Sequence, residues 1–184
     1  LTLHQDCKVI CVEPNPLNVG LISHNLKKFL SNGQITLIDK ALSHNDQGTV
    51  LNVPTEVEVF GGMGATTQVR ARSVERKSRQ VEVGSIEVNK LLEKEVCLLK
   101  CDIEGAEFDT LIAAGANIRN CKNIIVEIHT DVCDFNEKFM KLLSHLTLNS
   151  FQIFCYEGVN NPCSFHEKGI SPSFLLFAKN QKMQ

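Results

Sequence analysis

The stretch from Val96 to Phe108, Val-Cys-Leu-Leu-Lys-Cys-Asp-Ile-Glu-Gly-Ala-Glu-Phe, constrains the fold more than any other part of the chain. It opens with an apolar run broken by Lys100 and short enough to be a buried strand. Asp102 and Glu104 arrive as the run ends, and Gly105 breaks it. Beyond the glycine the apolar period changes: Phe108, Leu111 and Ile112 stand at i, i+3 and i+4, one face of a helix. Glu107 falls in that helix's first turn, where a negative charge suits the dipole, and Gly115 is placed to end it. Strand, acidic turn and helix follow in order, and open α/β sheets bind ligands beyond the carboxyl ends of their strands.

The arrangement recurs. Cys7 to Val12 ends in Glu13, Ile35 to Ile38 ends in Asp39, and Ile124 to Ile128 carries Glu127 and leads to His129. Glu13 and Asp39 are 26 residues apart, and Asp102 and Glu127 are 25 apart, the length of a strand, a helix and two short loops. A single acid at such a turn is equally well explained as a helix cap or solvated surface. Four in line predict a polar cleft along one edge of a parallel sheet.

At 184 residues the chain is expected to form a single domain over 1–184 with a substantial core. A net charge of -2 gives no global attraction to nucleic acid or to an anionic membrane. No apolar run approaches the roughly 18–20 residues of a membrane span. The eight cysteines are spaced against disulfide pairing, since Cys7 with Cys11 and Cys97 with Cys101 share predicted strands. With no Cys-x-x-Cys pair to suggest zinc, free and mostly buried thiols in a reducing, cytoplasmic setting are expected. Leu1-Thr2-Leu3-His4 reads like the tail of an amphipathic helix, and the chain is expected to lack its first elements.

Along the chain, Asn15 suits an N-cap and Pro16 the first helical position. Val19, Ile22, Leu26, Phe29 and Leu30 share one face of the helix that follows. Residues 43–84 are expected to be an insert, a β-arm with a mobile loop, with strands at Thr49–Val53 and Glu56–Phe60 around Gly61-Gly62-Met63-Gly64. The Gly-Lys-Ser/Thr ending of a phosphate-binding loop is absent. Arg70, Arg72, Arg76, Lys77 and Arg79 form a basic cluster, read as a solvated face or as a contact for an acidic substrate or a cofactor carboxylate. No aromatics interleave it, so nucleic acid is not expected. A short helix at Val88–Leu92, an amphipathic one carrying Phe135, Phe139, Leu142, Leu143 and Leu146, and antiparallel strands at Phe151–Tyr156 and Phe174–Ala178 complete the reading.

A carboxylate at a strand end can accept both hydroxyls of a ribose, and Glu13 fits that role. Asp39, one strand along, fits an adenine amino group. Together they imply an adenosine-containing cofactor, without separating a nicotinamide dinucleotide from S-adenosylmethionine.

Val-Glu-Pro-Asn-Pro at 12–16, Asp39-Lys40-Ala41-Leu42-Ser43 with Gly48, Leu-Lys-Cys-Asp-Ile-Glu-Gly-Ala-Glu at 99–107 and Val-Glu-Ile-His at 126–129 resemble the FkbM-type methyltransferases in order and spacing. The resemblance implies an α/β fold of the class I methyltransferase (Rossmann-like) kind, mostly parallel with an antiparallel last strand. It further implies S-adenosylmethionine as methyl donor and a substrate oxygen as acceptor. Its cofactor set on this chain is Glu13, Pro14, Asn15, Asp39, Lys40, Ala41 and Asp102, with Glu13 at the ribose and Asp39 and Ala41 beside the adenine. Asp102, Glu104 and Glu107 would shape the reaction end. The family's first strand and its Asp-x-Gly-x-x-x-Gly loop have no counterpart here, so the sheet is expected to lack its first strand.

A hydroxyl acceptor, whether on a small molecule, a sugar or a lipid, must lose a proton. The catalytic candidates are Asp102 and His129 as bases, with Glu104 beside them; His129 also fits a structural or capping role. Asp102, Glu104, Glu127 and His129 have the ligand types for a divalent ion, but a sequence holds no coordination geometry and no metal is assigned. Two alternatives are a methyltransferase-like domain without activity and a nicotinamide-dependent oxidoreductase. The second lacks a Tyr-x-x-x-Lys pair, because Tyr156 is the only tyrosine and position 160 is Asn160.

Overall fold

The computed structural model describes residues 4–54, 66–67, 78–156 and 173–183. Its centre is the strand–turn–helix stretch. Strand β7 (Val96–Cys101) pairs in parallel with β8 (Cys121–His129), Cys101 lying opposite Val126. Between them run α4 (Glu107–Ala113) and a 3-10 turn at Gly115–Asn120. Strand β10 (Ser173–Asn180) lies between β8 and β9 (Phe151–Tyr156) and runs antiparallel to both. The sheet order is therefore β7-β8-β10-β9.

Strand β8 shows how the sequence places the core. Ile124, Val126 and Ile128 alternate along it and are fully buried, so Glu127 and His129 share the opposite face. Helix α5 (Phe135–Leu148) buries Phe139, Leu142 and Leu146, which recur at helical spacing. The Phe139 ring stacks on Phe135 at 5.5 Å and meets Phe174 of β10 edge-on at 5.6 Å; Phe135 in turn meets Phe108 of α4 at 6.0 Å. Phe108, Leu111 and Ile118 complete the same core.

The single parallel sheet with four acids along one edge is not continuous among the described residues: β1 (Val9–Val12) and β2 (Ile35–Ile38) form a parallel pair of their own, apart from the sheet of β7 and β8. Asn15 caps the helix between them through a 3.1 Å bond from the Leu17 N–H to its Oδ1, with Pro16 in the first turn. The single amphipathic helix expected here is instead two, α1 (Pro16–Asn25) and α2 (Lys27–Ser31). The chain leaves helical geometry at Leu26, φ -108° and ψ 16°. The predicted face is half-buried at Val19, Ile22, Leu26, Phe29 and Leu30, but no residue of either helix is fully buried.

Between Ala41 and Leu91, β3 (Ala41–Ser43) pairs in parallel with β6 (Ser85–Glu87), which leads into α3 (Val88–Leu91). Strand β4 (Thr49–Pro54) pairs antiparallel with β5 (Ser78–Val83). The sequence pattern did not show β5: its Arg79 is exposed on a strand where a solvated face was read. The expected strand Glu56–Phe60, the Gly61–Gly64 run, Arg70, Arg72, Arg76 and Lys77 lie outside the described residues. Cys7, Cys11, Cys97, Cys101, Cys121 and Cys133 are free, as the spacing predicted, but of these only Cys101 and Cys121 are buried, while Cys97 and Cys133 are exposed. Among the described residues no helix is long and apolar enough to cross a membrane.

Candidate functional site

The predicted residues fall into two groups at strand ends. The first follows β1 and β2. Val12 and Ile38 are register partners and the Glu13 N–H donates to the Ile38 carbonyl at 3.0 Å, so Glu13 and Asp39 emerge side by side. Glu13 is half-buried and Asp39 and Lys40 are exposed. One oxygen of Glu13, Oε1, accepts the Asn15 N–H at 2.8 Å. Asn15 is wholly buried, and its Nδ2 has no hydrogen-bond partner although its Oδ1 is used in capping. A buried amide donor left without an acceptor costs about 1–3 kcal/mol unless a ligand supplies one. Ala41 is buried, its N–H donating to the Gly84 carbonyl at 2.8 Å. It lines a cavity of about 70 Å³ together with Leu42, Ser43, Ala106, Asp109 and Thr110, which brings β3 against the start of α4.

The second group is built on the turn after β7. Glu104 and Gly105 both adopt left-handed backbone, φ 57° and 103°. For Glu104 that conformation is strained, and two contacts hold it. The Thr66 hydroxyl donates to the Glu104 carbonyl at 2.6 Å, and the Glu107 carboxylate accepts the N–H groups of Ile103 at 3.0 Å and Gly105 at 3.0–3.1 Å. Glu107 was expected in the first turn for the helix dipole. It is there, but with no exposed surface, as the acceptor around which the turn closes.

The same carboxylate meets His129. Its Oε1 lies 2.9 Å from Nδ1, and because Oε1 already faces two backbone donors, Nδ1 carries the hydrogen. In the neutral imidazole the lone pair then sits on Nε2, which lies 3.4 Å from Glu104 Oε2 and 3.9 Å from Glu127 Oε1. His129 is 5% exposed, while Asp102, Glu104 and Glu127 keep 33%, 27% and 33% of their side-chain surface. Single ligand atoms of Asp102, Glu104 and His129 all lie within 4.8 Å of one another. Lys100 Nζ pairs with Asp102 Oδ2 at 2.9 Å, and the Ser173 hydroxyl donates to Glu127 at 2.6 Å. A buried, oriented imidazole thus faces three partly open carboxylates. Such a set can take a proton or hold a cation.

All three catalytic candidates therefore meet in one place, and Glu13, Pro14 and Asn15 gather with Asp39 in another. Sequence reasoning underrated Glu107. The signal available to it was an acid directly following Gly105-Ala106, but the contact with His129 depends on the β7–β8 register.

A family model described as Methyltransferase FkbM domain matches residues 3–153. The chain belongs to the FkbM methyltransferase family. Among solved structures, an FkbM methyltransferase from Methylobacillus flagellatus KT is similar at 16% identity and a TM-score of 0.53, over 93% of this chain and 36% of that one. That likeness concerns the α/β fold, and this chain spans little more than a third of that protein. A precorrin-6y C5,15-methyltransferase from Geobacter metallireducens GS-15 aligns at 12% identity and a TM-score of 0.44, over 95% of this chain and 67% of that one. No curated protein matches the chain. The resemblance first drawn from Lys100-Cys101-Asp102-Ile103-Glu104-Gly105-Ala106-Glu107 is thus a family membership, and the FkbM domain match takes in both groups of site residues.

Proposed function

We propose that this FkbM domain serves an S-adenosylmethionine-dependent methyltransferase that methylates a hydroxyl oxygen on a small molecule, sugar or lipid. The observation that carries the reading is the Glu107–His129 pair, which turns the imidazole Nε2 toward Asp102 and Glu104 and so gathers the groups that could relieve an acceptor hydroxyl of its proton. A donor bound at the other group fits the residues there. Glu13 is half-buried and uses only Oε1 internally, which leaves Oε2 to accept from ribose hydroxyls, and Asp39 emerges beside it on the next strand, within reach of an adenine amino group. Bound there, S-adenosylmethionine would supply an electrophilic methyl group. The chain's own work is to hold donor and acceptor in line and to polarise the acceptor's O–H, and positioning of that kind accounts for much of such a rate.

The sheet order supports a class I arrangement. One edge of β1 and one edge of β7 are unpaired among the described residues, and Ile10 and Leu98 on those strands are 54% and 51% exposed. A strand between them would join the parallel pair to β7-β8-β10-β9 and cover both side chains. It would also bring Glu13 and Asp102 to one rim.

Titration of S-adenosylhomocysteine into the full protein tests the donor site. Binding is expected, with Glu13→Gln weakening it by about tenfold, the loss of one hydrogen bond to a charged group. Unchanged affinity in that variant would remove Glu13 from the donor site. Absence of binding by the unaltered protein would favour a methyltransferase-like domain without activity.

A further inference from the structure

We propose that Asp102, Glu104 and His129 form a divalent-cation site that binds the acceptor hydroxyl. This deepens the reading above and rests on it for the role of the site, though not for the site itself. The cation, and not direct proton transfer to His129, would make the hydroxyl acidic.

Three features of the cluster carry the inference. The first is the donor set. Two carboxylate oxygens and one imidazole nitrogen approach within 4.8 Å of one another on three different segments: the end of β7, the left-handed turn and the end of β8. Ligand atoms around a first-row divalent ion stand roughly 3–4 Å apart, from metal–ligand bonds of about 2.1 Å. The widest separation in the cluster needs to contract by about 1–2 Å, and Asp102 and Glu104, both partly exposed, can rotate to do so.

The second is the outer partner of the histidine. Metal-bound histidines characteristically donate their other ring N–H to a carboxylate, which fixes the tautomer and raises the basicity of the coordinating nitrogen. Glu107 is such a carboxylate, accepting from His129 Nδ1 at 2.9 Å at a position with no exposed surface, and it is itself held by the N–H groups of Ile103 and Gly105. With Nδ1 held in this way, Nε2 is the ring atom turned toward Glu104 and Asp102.

The third is access. His129 closes the inner side, and the carboxylates form a half-exposed outer side where a hydroxyl and water can complete the coordination shell. Mixed oxygen and imidazole donors suit manganese and its neighbours better than calcium. Lys100 takes Asp102 Oδ2 and so leaves Oδ1 for the ion. With a hydroxyl bound, the cation lowers its pKa, as it does for bound water. The proton leaves to solvent or to Glu127, and the oxygen's electron pair forms the new O–CH3 bond. The S–CH3 bond of the sulfonium breaks in the same step, and its electron pair stays on a now neutral sulfur.

The test uses Mn²⁺ alone, added to the metal-free full protein and followed by electron paramagnetic resonance and electron spin-echo modulation. The expected result is one Mn²⁺ per chain with a nitrogen coupling from one imidazole. Glu104→Gln, at a partly exposed position that folding tolerates, should weaken binding at least tenfold, and His129→Gln should abolish the nitrogen coupling. Binding without that coupling, or binding indifferent to Glu104→Gln, would reduce the cluster to an acidic surface and overturn the proposal. So would an absence of binding at millimolar Mn²⁺, as expected if His129 is an imidazolium bridging Glu104 and Glu107. S-adenosylhomocysteine titrated into the same samples separates the two readings. Donor binding and methyl transfer that persist under a chelator would sink the cation and leave the methyltransferase. Mn²⁺ binding with the nitrogen coupling but without donor binding would uphold the cation site and sink the donor reading.

Discussion

Replacing Glu107 by glutamine tests how the candidate site is held together. The carboxylate accepts from the N–H groups of Ile103 and Gly105 and from His129 Nδ1, all within 3.1 Å and with no surface exposed to water. Bonds to an ionised acceptor are roughly twice as strong as bonds to a neutral one, so neutralising it weakens three contacts by about 1 kcal/mol each. Part of that loss is recovered by relaxation. Against this, the new amide NH2 group must face either the Gly105 N–H or the His129 Nδ1–H, donor against donor. A net loss of about 3 kcal/mol of folding stability follows, a large fraction of the 5–15 kcal/mol typical of a domain. In urea, with a slope of roughly 2 kcal/mol/M, the unfolding midpoint should fall by about 1.5 M. In heat, Tm should fall by roughly 6–12 °C. Glu104→Gln, made beside it at a partly exposed position, should stay within about 0.5 kcal/mol of the unaltered protein. If Glu107→Gln costs no more than Glu104→Gln, Glu107 is not the group that closes the turn and orients His129.

Two other consequences concern chemistry away from the site. Burial pushes the Cys121 thiol up to about 12, and burial reinforced by the charges of Glu107 and Asp102 raises Cys101 as well, while Cys97 and Cys133 are exposed. Iodoacetamide at pH 8 should therefore label Cys97 and Cys133 and spare Cys101 and Cys121 until the protein unfolds, as peptide mass spectrometry would show; equal labelling of Cys101 in the native protein would contradict its burial at the end of β7. His145, half-buried in the last turn of α5, is held below its ordinary 6.5 by burial and, secondarily, by Arg119. The unfolded chain takes up that proton first, so stability should be full above about pH 6.5 and decline as pH falls below it. His145→Gln should flatten that limb of a urea-midpoint profile; an unaltered profile would show that other groups govern it.

Much of this was legible in the sequence, and the residues show why. The β7–α4 boundary could be read because the apolar period changes at Gly105, and a change of period depends on chain order alone. Asn15 and Pro16 announced a helix start because capping is local chemistry, and the structure places both in those roles. The four acids at strand ends were likewise visible, since each needs only its own strand to be recognised. What stayed hidden depends on distant partners. Glu107 looks like an ordinary first-turn acid until the β7–β8 register sets His129 above it. Strand β5 has exposed side chains along most of its length and alternates only at Val81 and Val83, too short a run to mark a strand, and its identity comes from pairing with β4. Thr66 carries no motif at all, yet its hydroxyl holds the carbonyl of the strained Glu104. The break at Leu26 was missed because the apolar face runs through it, half-buried on both sides.

The measurement that bears most directly on the account is transfer of a labelled methyl group from S-adenosylmethionine to a panel of hydroxyl acceptors by the full protein, with S-adenosylhomocysteine affinity determined on the same preparations. Asp102→Asn should lower kcat by at least a hundredfold and change the dissociation constant less than threefold, whereas Glu13→Gln should act chiefly on that constant. If both substitutions shift affinity and rate by similar small factors, Glu13 and Asp102 do not divide donor binding from acceptor chemistry, and the two-group site proposed for this FkbM domain is wrong.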